Sequence, residues 1–409
     1  MRDLKAPSQP RTGSISHAVT IPMLAFRQRI LSVLTSTEEE TSHKLFVESL
    51  RRGGMETASV NPNRRRVIVD SHEDIAFNAV VLGQDFLSSA YAKRTHENSP
   101  WGVPTVGFPE VKEANIRVVF ASIWAAACNN PTNLRVKPCY ETPEEACEQG
   151  QKQLSYYQKL MASPEFSLVA TKGDLEEVTG DQYRLGLLLS MEGADPIVSP
   201  EHLNEWVRRG LRVVGLAHGR TRYSGGTRQA GPLTDVGREL LSEMEREHVI
   251  LDTSHMAEES FFAALRLFHG PIIATHSNCR TLIPTDRHLS DEMIRAIVER
   301  DGMIGGVLFN KFLTQDWEKN GRRKESVTLA DFVRQLQHIC EVAGDTEHVG
   351  IGSDFDGGFG SESIPTGMDT IADMPKVAVA LTEAGFSDGE VDGIMGENWL
   401  RFLHKTLPE

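Results

Sequence analysis

Between Val67 and Ser353, short apolar runs alternate with longer stretches in which apolar residues recur every three or four positions. The runs fall at 67–70, 115–122, 184–191, 211–217, 249–252, 271–275, 303–308 and 348–353. They are rich in Val, Ile and Leu and nearly continuous, the pattern of parallel strands covered on both faces. The periodic stretches, chiefly Pro143–Met161, Glu201–Arg209, Asp235–Glu247, Ala257–Phe268, Asp291–Arg300 and Leu329–Val342, predict amphipathic helices. Strand and helix in alternation imply βαβ units. Eight such units predict a closed (β/α)8 TIM-type barrel, with its site where the C-terminal ends of the strands meet. The run Phe166–Thr171 falls outside this count and reads as part of a long connection before the third strand.

The barrel is expected to occupy 63–409, with residues 1–62 as an N-terminal extension. Ser8–Ser14 has loop composition, and Pro22–Leu34 and Thr41–Arg51 read as short helices. These could pack on the barrel or on a second subunit, which leaves a homodimer open. The basic cluster Arg64-Arg65-Arg66 reads as a solvated edge before the first strand.

The residues just past the strands carry the chemistry. Strand one runs into His72 and Asp74, strand three into Glu192, strand four into His218, strand five into His255, strand six into His276 and strand eight into Asp354. Three carboxylates buried together without cations would cost several kcal/mol each, so this rim implies bound metal. Imidazoles and carboxylates without thiolates suit Zn2+ or a similar first-row divalent ion. Two ions fit better than one, with His72 and Asp74 on one side, His255 and His276 on the other and Glu192 bridging. A hydroxide shared by ions ~3.5–4 Å apart is a nucleophile at neutral pH, which is hydrolase chemistry.

Composition narrows the setting. A net charge of −14 argues against nucleic-acid or anionic-membrane partners. No apolar run approaches the ~18 residues of a membrane span, and no secretion signal or lipid-anchor tail is evident, so a cytoplasmic protein is expected. The five cysteines, Cys128, Cys139, Cys147, Cys279 and Cys340, lack CxxC spacing and suggest neither a disulfide framework nor a thiolate zinc site. Cys279 lies beside His276 but needs no nucleophilic role to explain its neighbours.

Taken in order, these motifs resemble the membrane (renal) dipeptidase family, peptidase M19, within the amidohydrolase superfamily. The resemblance runs from about Val67 to Phe402. It rests on Asp70-Ser71-His72-Glu73-Asp74, Glu192-Gly193, Leu216-Ala217-His218, Asp252-Thr253-Ser254-His255, Thr275-His276-Ser277-Asn278-Cys279-Arg280, Arg287-His288-Leu289-Ser290-Asp291-Glu292 and Gly352-Ser353-Asp354-Phe355-Asp356-Gly357. It implies that His218 contacts the substrate carbonyl, that Arg287 binds the substrate carboxylate and that Asp354 is the catalytic acid–base; from the residues alone, Arg287 could equally pair with Asp286 or Asp291 on the surface. Asp356 is expected to orient its loop. The implied reaction is zinc-dependent hydrolysis of small dipeptides, including L-Xaa-D-Xaa, by a metal-bridging hydroxide, with two Zn2+ per chain. The loops Gly219–Gly226 and Gly357–Gly360 depart from the family pattern and leave the side-chain pockets open. Another amidohydrolase activity on amides or lactones, or a non-catalytic barrel, stays as the alternative. Against them, deaminase and phosphotriesterase types usually open with His-x-His and often bridge through a carboxylated Lys, and no ligand is missing here.

Overall fold

The computed structural model describes residues 65–96, 99, 101–130 and 137–409. The N-terminal extension and its two expected helices lie outside the described residues. Among the described residues nine strands form one parallel sheet: β1 (Ile68–Glu73), β2 (Ile116–Trp124), β3 (Phe166–Leu168), β4 (Leu185–Glu192), β5 (Leu211–Gly215), β6 (Ile250–Asp252), β7 (Ile272–Ala274), β8 (Met303–Gly306) and β9 (Val349–Ile351). Their order is β2-β1-β9-β8-β7-β6-β5-β4-β3, and β2 also pairs with β4, from Val118↔Gly186 to Trp124↔Glu192. That last pairing closes eight strands into a (β/α)8 barrel. The ninth strand corrects the reading of Phe166–Thr171 as a plain connection. β3 pairs with Leu185–Leu187 on the edge of β4 whose later residues pair with β5, so it lies along the barrel without joining it.

The strands read as continuous apolar runs because both their faces are covered: every residue of β1, β2 and β4 is buried. Val69, Val118, Phe120, Leu188, Val213, Ile250, Ile273 and Met303, from seven strands, cluster with Trp399, Phe402 and Leu403 of the C-terminal helix Asn398–Thr406. Each such side chain contributes roughly 1.5–3 kcal/mol of burial. Two of the connecting helices start on side-chain caps. Thr142 and Glu145 form a reciprocal capping box on Pro143–Leu160. Ser290 accepts the Met293 N–H at the start of Asp291–Val298, which gives part of the Arg287–Glu292 segment a purely structural purpose.

Two further expectations are corrected. Arg66 is not a solvated edge; its guanidinium pairs with Asp392 at 2.7 Å and Asp388 at 3.2 Å, tying the entry to β1 to the helix Asp388–Asp392. Cys128 and Cys139 form a disulfide. Cys139 packs against the cluster of Phe77, Trp124 and Ala126, and Cys128 N–H donates to the Tyr140 carbonyl, so the bond staples the segment after β2 to an aromatic cluster. Spacing did not reveal it, because nothing along the chain shows that these two positions come within disulfide reach. Cys279 is buried against the helix Leu329–Ala343, with its N–H on Gln335 Oε1 and its thiol on the Gln335 carbonyl, consistent with a packing residue.

Candidate active site

At the C-terminal mouth of the barrel a cavity of about 250 Å³ is lined by Asp74, Glu192, His218, His255, Arg287 and Asp354, with Trp101, Trp124, Asn130, Thr227, Arg228, Phe309, Phe312, Gly357 and Gly358. His72 and His276 lie just beneath, both buried. All eight residues expected at the site are thus brought together.

Glu192, the last residue of β4, divides its two oxygens. Oε1 stands 3.0 Å from His255 Nε2 and 3.2 Å from His276 Nε2, and these two nitrogens are 3.0 Å apart. Oε2 stands 3.9 Å from His72 Nε2, which is 3.9 Å from Asp74 Oδ1 and 3.8 Å from Asp354 Oδ1. The distances around His72 are too long for hydrogen bonds. Donors each ~2.0–2.2 Å from one ion lie roughly 3–4 Å apart, so both groups have the spacing of cation ligands. Three overlapping sets could hold a metal: His72, Asp74 and Glu192; Glu192, His255 and His276; and His72, His276 and Asp354. The orphaned atoms point the same way, since His72 Nε2 and Asp74 Oδ1 are buried without any hydrogen-bond partner. Asp74 even occupies the N-cap position of the helix Ile75–Leu82 without capping it, keeping its carboxylate on the site.

Burial sets the electrostatics. It pushes the Asp74 carboxyl up to about 6 and those of Glu192 and Asp354 well above the carboxylate range, while His72 and His218 are lowered to about 3 and His255 and His276 well below the imidazole range. The Arg287 charge adds to the lowering of all four imidazoles. Neutral imidazoles are the ligating form. Carboxylates crowded into a dry site in this way are stabilised as anions only by nearby cations.

The ligands are aimed by the shell behind them. Thr275 Oγ1 donates to Asp252 Oδ2 at 2.6 Å and lies 2.8 Å from His276 Nδ1, so it accepts that ring's N–H and leaves Nε2 as the lone pair facing the site. Thr227 Oγ1 sits 3.1 Å from His255 Nδ1 in the equivalent place. Asp70 Oδ1 accepts the Ser353 N–H at 2.8 Å, which pins the end of β9 beside β1 and so sets Asp354 beside His72. His255, Asp354 and Asp356 all take left-handed backbone, φ 63°, 60° and 58°. Each such residue costs on the order of 1–3 kcal/mol, and here the cost is localised at the site. Gly357 is required there, because a Cβ would lie 2.0 Å from Asp354 Oδ1.

A family model described as membrane dipeptidase, peptidase family M19, matches residues 62–407. The chain belongs to this family. As an M19 member it is a metallo-dipeptidase, and the family implies a divalent metal. It is 24% identical over 404 residues, 96% of this chain and 89% of the relative, to the dipeptidase aclJ of Aspergillus oryzae. It is also 29% identical over 264 residues, 62% of this chain and 94% of the relative, to an uncharacterised protein of the pqqA 5' region of Klebsiella pneumoniae. Among solved structures, dipeptidase AC, an M19 metallopeptidase, matches at TM-score 0.70 and 26% identity, covering 84% of this chain and 100% of that one. A Rhodobacter sphaeroides metallopeptidase bound to a phosphinate mimic of the dipeptide L-Ala-D-Ala shares the fold at TM-score 0.70 and 24% identity, covering 84% and 99%.

Arg287 of this M19 chain is buried, with Nη1 on Ser277 Oγ at 3.0 Å, Nη2 on the His276 carbonyl and Nε without a partner. The surface pairing open to it from sequence does not form: Asp286 accepts the Arg228 N–H instead, and Asp291 pairs with His338. Asp356 points away from the ligands and accepts three hydrogen bonds, from Thr105 N–H, Thr105 Oγ1 and Val106 N–H, which is the loop-orienting role expected of it. The sequence reading missed the walls: Trp101, Asn130, Thr227 and Arg228 come from loops with no strand-end signal, and Phe312 from the short helix Asn310–Leu313. Trp124, closing β2, and Phe309, just past the 303–308 run, could have been found by the rule that exposed the ligands.

Proposed function

We propose that the chain hydrolyses dipeptides using two divalent cations, zinc by the nitrogen and oxygen donor set. His72 and Asp74 would hold one, His255 and His276 the other, and Glu192 both. The observation that carries this is the division of Glu192 between His72 and the His255–His276 pair, beside orphaned buried donors on His72 and Asp74. Bound there, such ions would supply Lewis acidity and lower the pKa of water toward neutrality. Asp354 takes the proton from the attacking water and returns it to the leaving amine. His218, half-buried and neutral, donates its N–H to the oxygen on which charge develops. Arg287 receives the free C-terminal carboxylate through its uncommitted donors, and Trp101, Trp124, Phe309 and Phe312 exclude water around the substrate. The R. sphaeroides protein of the same fold takes a mimic of L-Ala-D-Ala, and we extend the L-Xaa-D-Xaa class to this chain on the family resemblance.

The test is metal analysis together with hydrolysis of L-Xaa-L-Xaa and L-Xaa-D-Xaa dipeptides. About two ions per active chain, loss of activity with chelator and turnover of L,D members are expected; one ion, or an absolute L,L requirement, would refute the corresponding part. Among the described residues no helix is long and apolar enough to cross a membrane. The Cys128–Cys139 disulfide belongs to an oxidising compartment and stands against the cytoplasmic placement expected from sequence. We propose an oxidising location. Native protein alkylated before reduction should keep both thiols protected, and free thiols at both positions would reverse this placement.

A further inference from the structure

Outside the ligand cluster the cavity wall carries, among the described residues, no carboxylate. Asp74, Glu192 and Asp354 belong to the cluster, and the remainder is Asn130, Thr227, four aromatic rings, two glycines, His218 and two guanidiniums, Arg287 and Arg228. Arg287 is anchored from behind by Ser277 and His276. Arg228 is different. Its side chain is exposed to the cavity, and among the described residues no hydrogen bond or ion pair holds its guanidinium.

Its main chain, by contrast, is held on every side. Gly226 and Gln229 exchange hydrogen bonds of 3.2 and 3.0 Å across the turn, and Thr227 N–H donates to the His255 carbonyl at 2.8 Å. Gln229 Oε1 accepts the Arg220 N–H at 2.9 Å, and Arg228 N–H donates to Asp286 Oδ2 at 2.6 Å with φ at 60°. A cationic group thus projects from a fixed turn that is bonded to a metal-ligand candidate on one side and to the residue preceding Arg287 on the other.

We propose that Arg228 selects dipeptides whose second residue carries a carboxylate side chain, aspartate or glutamate. This rests on the dipeptidase reading above. With the substrate's terminal carboxylate on Arg287, the second residue is the one that faces the wall carrying Arg287 and Arg228. A guanidinium without a protein partner offers that side chain a planar pair of donors. Arg228 is a specificity residue in this account and takes no part in bond breaking.

The experiment compares kcat/KM for Ala-Asp and Ala-Asn, each with L- and D-configured second residues, in metal-loaded wild type and Arg228→Gln, with Asp-Ala and Asn-Ala as controls. Wild type should prefer the acidic member of the Ala-Asp/Ala-Asn pair by about tenfold, between the few-fold of an exposed ion pair and the larger effect of a desolvated one. The preference should reside in KM and shrink as salt is raised. In Arg228→Gln the Asp/Asn ratio should fall to near one, and Arg228→Lys should recover part of it. A wild-type ratio near one while both dipeptides are cleaved would overturn the proposal and leave the dipeptidase reading standing. A ratio change confined to Asp-Ala against Asn-Ala would overturn the assignment to the second residue. Failure of wild type to cleave any dipeptide would instead overturn the reading beneath it, and this proposal with it.

Discussion

Truncating Arg287 to alanine separates carboxylate recognition from metal binding. The side chain is 6% exposed, its Cζ lies 5.8 Å from the Phe312 ring centroid, and two of its five N–H donors are committed to Ser277 and the His276 carbonyl. Three donors and the charge remain for a ligand. A desolvated charge-assisted contact of that kind is worth roughly 2–5 kcal/mol, or about 30- to several-thousand-fold in kcat/KM. The committed donors also hold the backbone of a metal-ligand candidate, so Arg287→Ala should cost about 1–3 kcal/mol of stability as well, from the acceptor left behind. The assay is therefore kcat/KM on a free dipeptide and on its C-terminal amide, with metal content measured in the same preparations. Wild type should cleave the amide poorly. Arg287→Ala should lose activity on the free acid, narrow the acid–amide gap and keep its metal. If wild type cleaves the amide as fast as the acid, or the variant loses both substrates equally with metal retained, Arg287 is not the carboxylate anchor and a more general amidase or lactonase reading takes over.

Three other outcomes follow from the same geometry. Glu192→Gln weakens both groups of donors at once, so metal content and turnover should fall further than in any single His255 or His276 variant; a variant that keeps two ions and wild-type turnover would refute the bridging role. Thr275→Val leaves the His276 N–H and a buried Asp252 oxygen without partners, and competition with a chelator should show metal affinity weakened about 10- to 100-fold, whereas an unchanged affinity would remove the orienting role of that hydroxyl. Gly357→Ala places a methyl where Asp354 Oδ1 now stands, so kcat should drop about 100-fold with metal content preserved; normal turnover would mean that the carboxylate position is not critical.

What the sequence determined by itself was the barrel and the residues on its rim. A parallel strand buried on both faces writes itself as an unbroken apolar run, and the chain can leave that run only at the site end, so His72, Glu192, His218, His255, His276 and Asp354 could be located from local order alone. The choice between an anchoring and a surface role for Arg287 could not be made locally, because it depended on whether Asp286 and Asp291 were already engaged elsewhere. Only the tertiary structure decided the short strand β3, whose partner is an edge of β4 that the barrel leaves free, and the pairing of Arg66 with a helix more than 300 positions away. It also decided the Cys128–Cys139 bond, the aromatic wall and the presence of Arg228 at the cavity. Each of these joins loops whose composition carries no period, and which loops meet is set by how the closed barrel arranges its strand ends in space, information that no window along the chain contains.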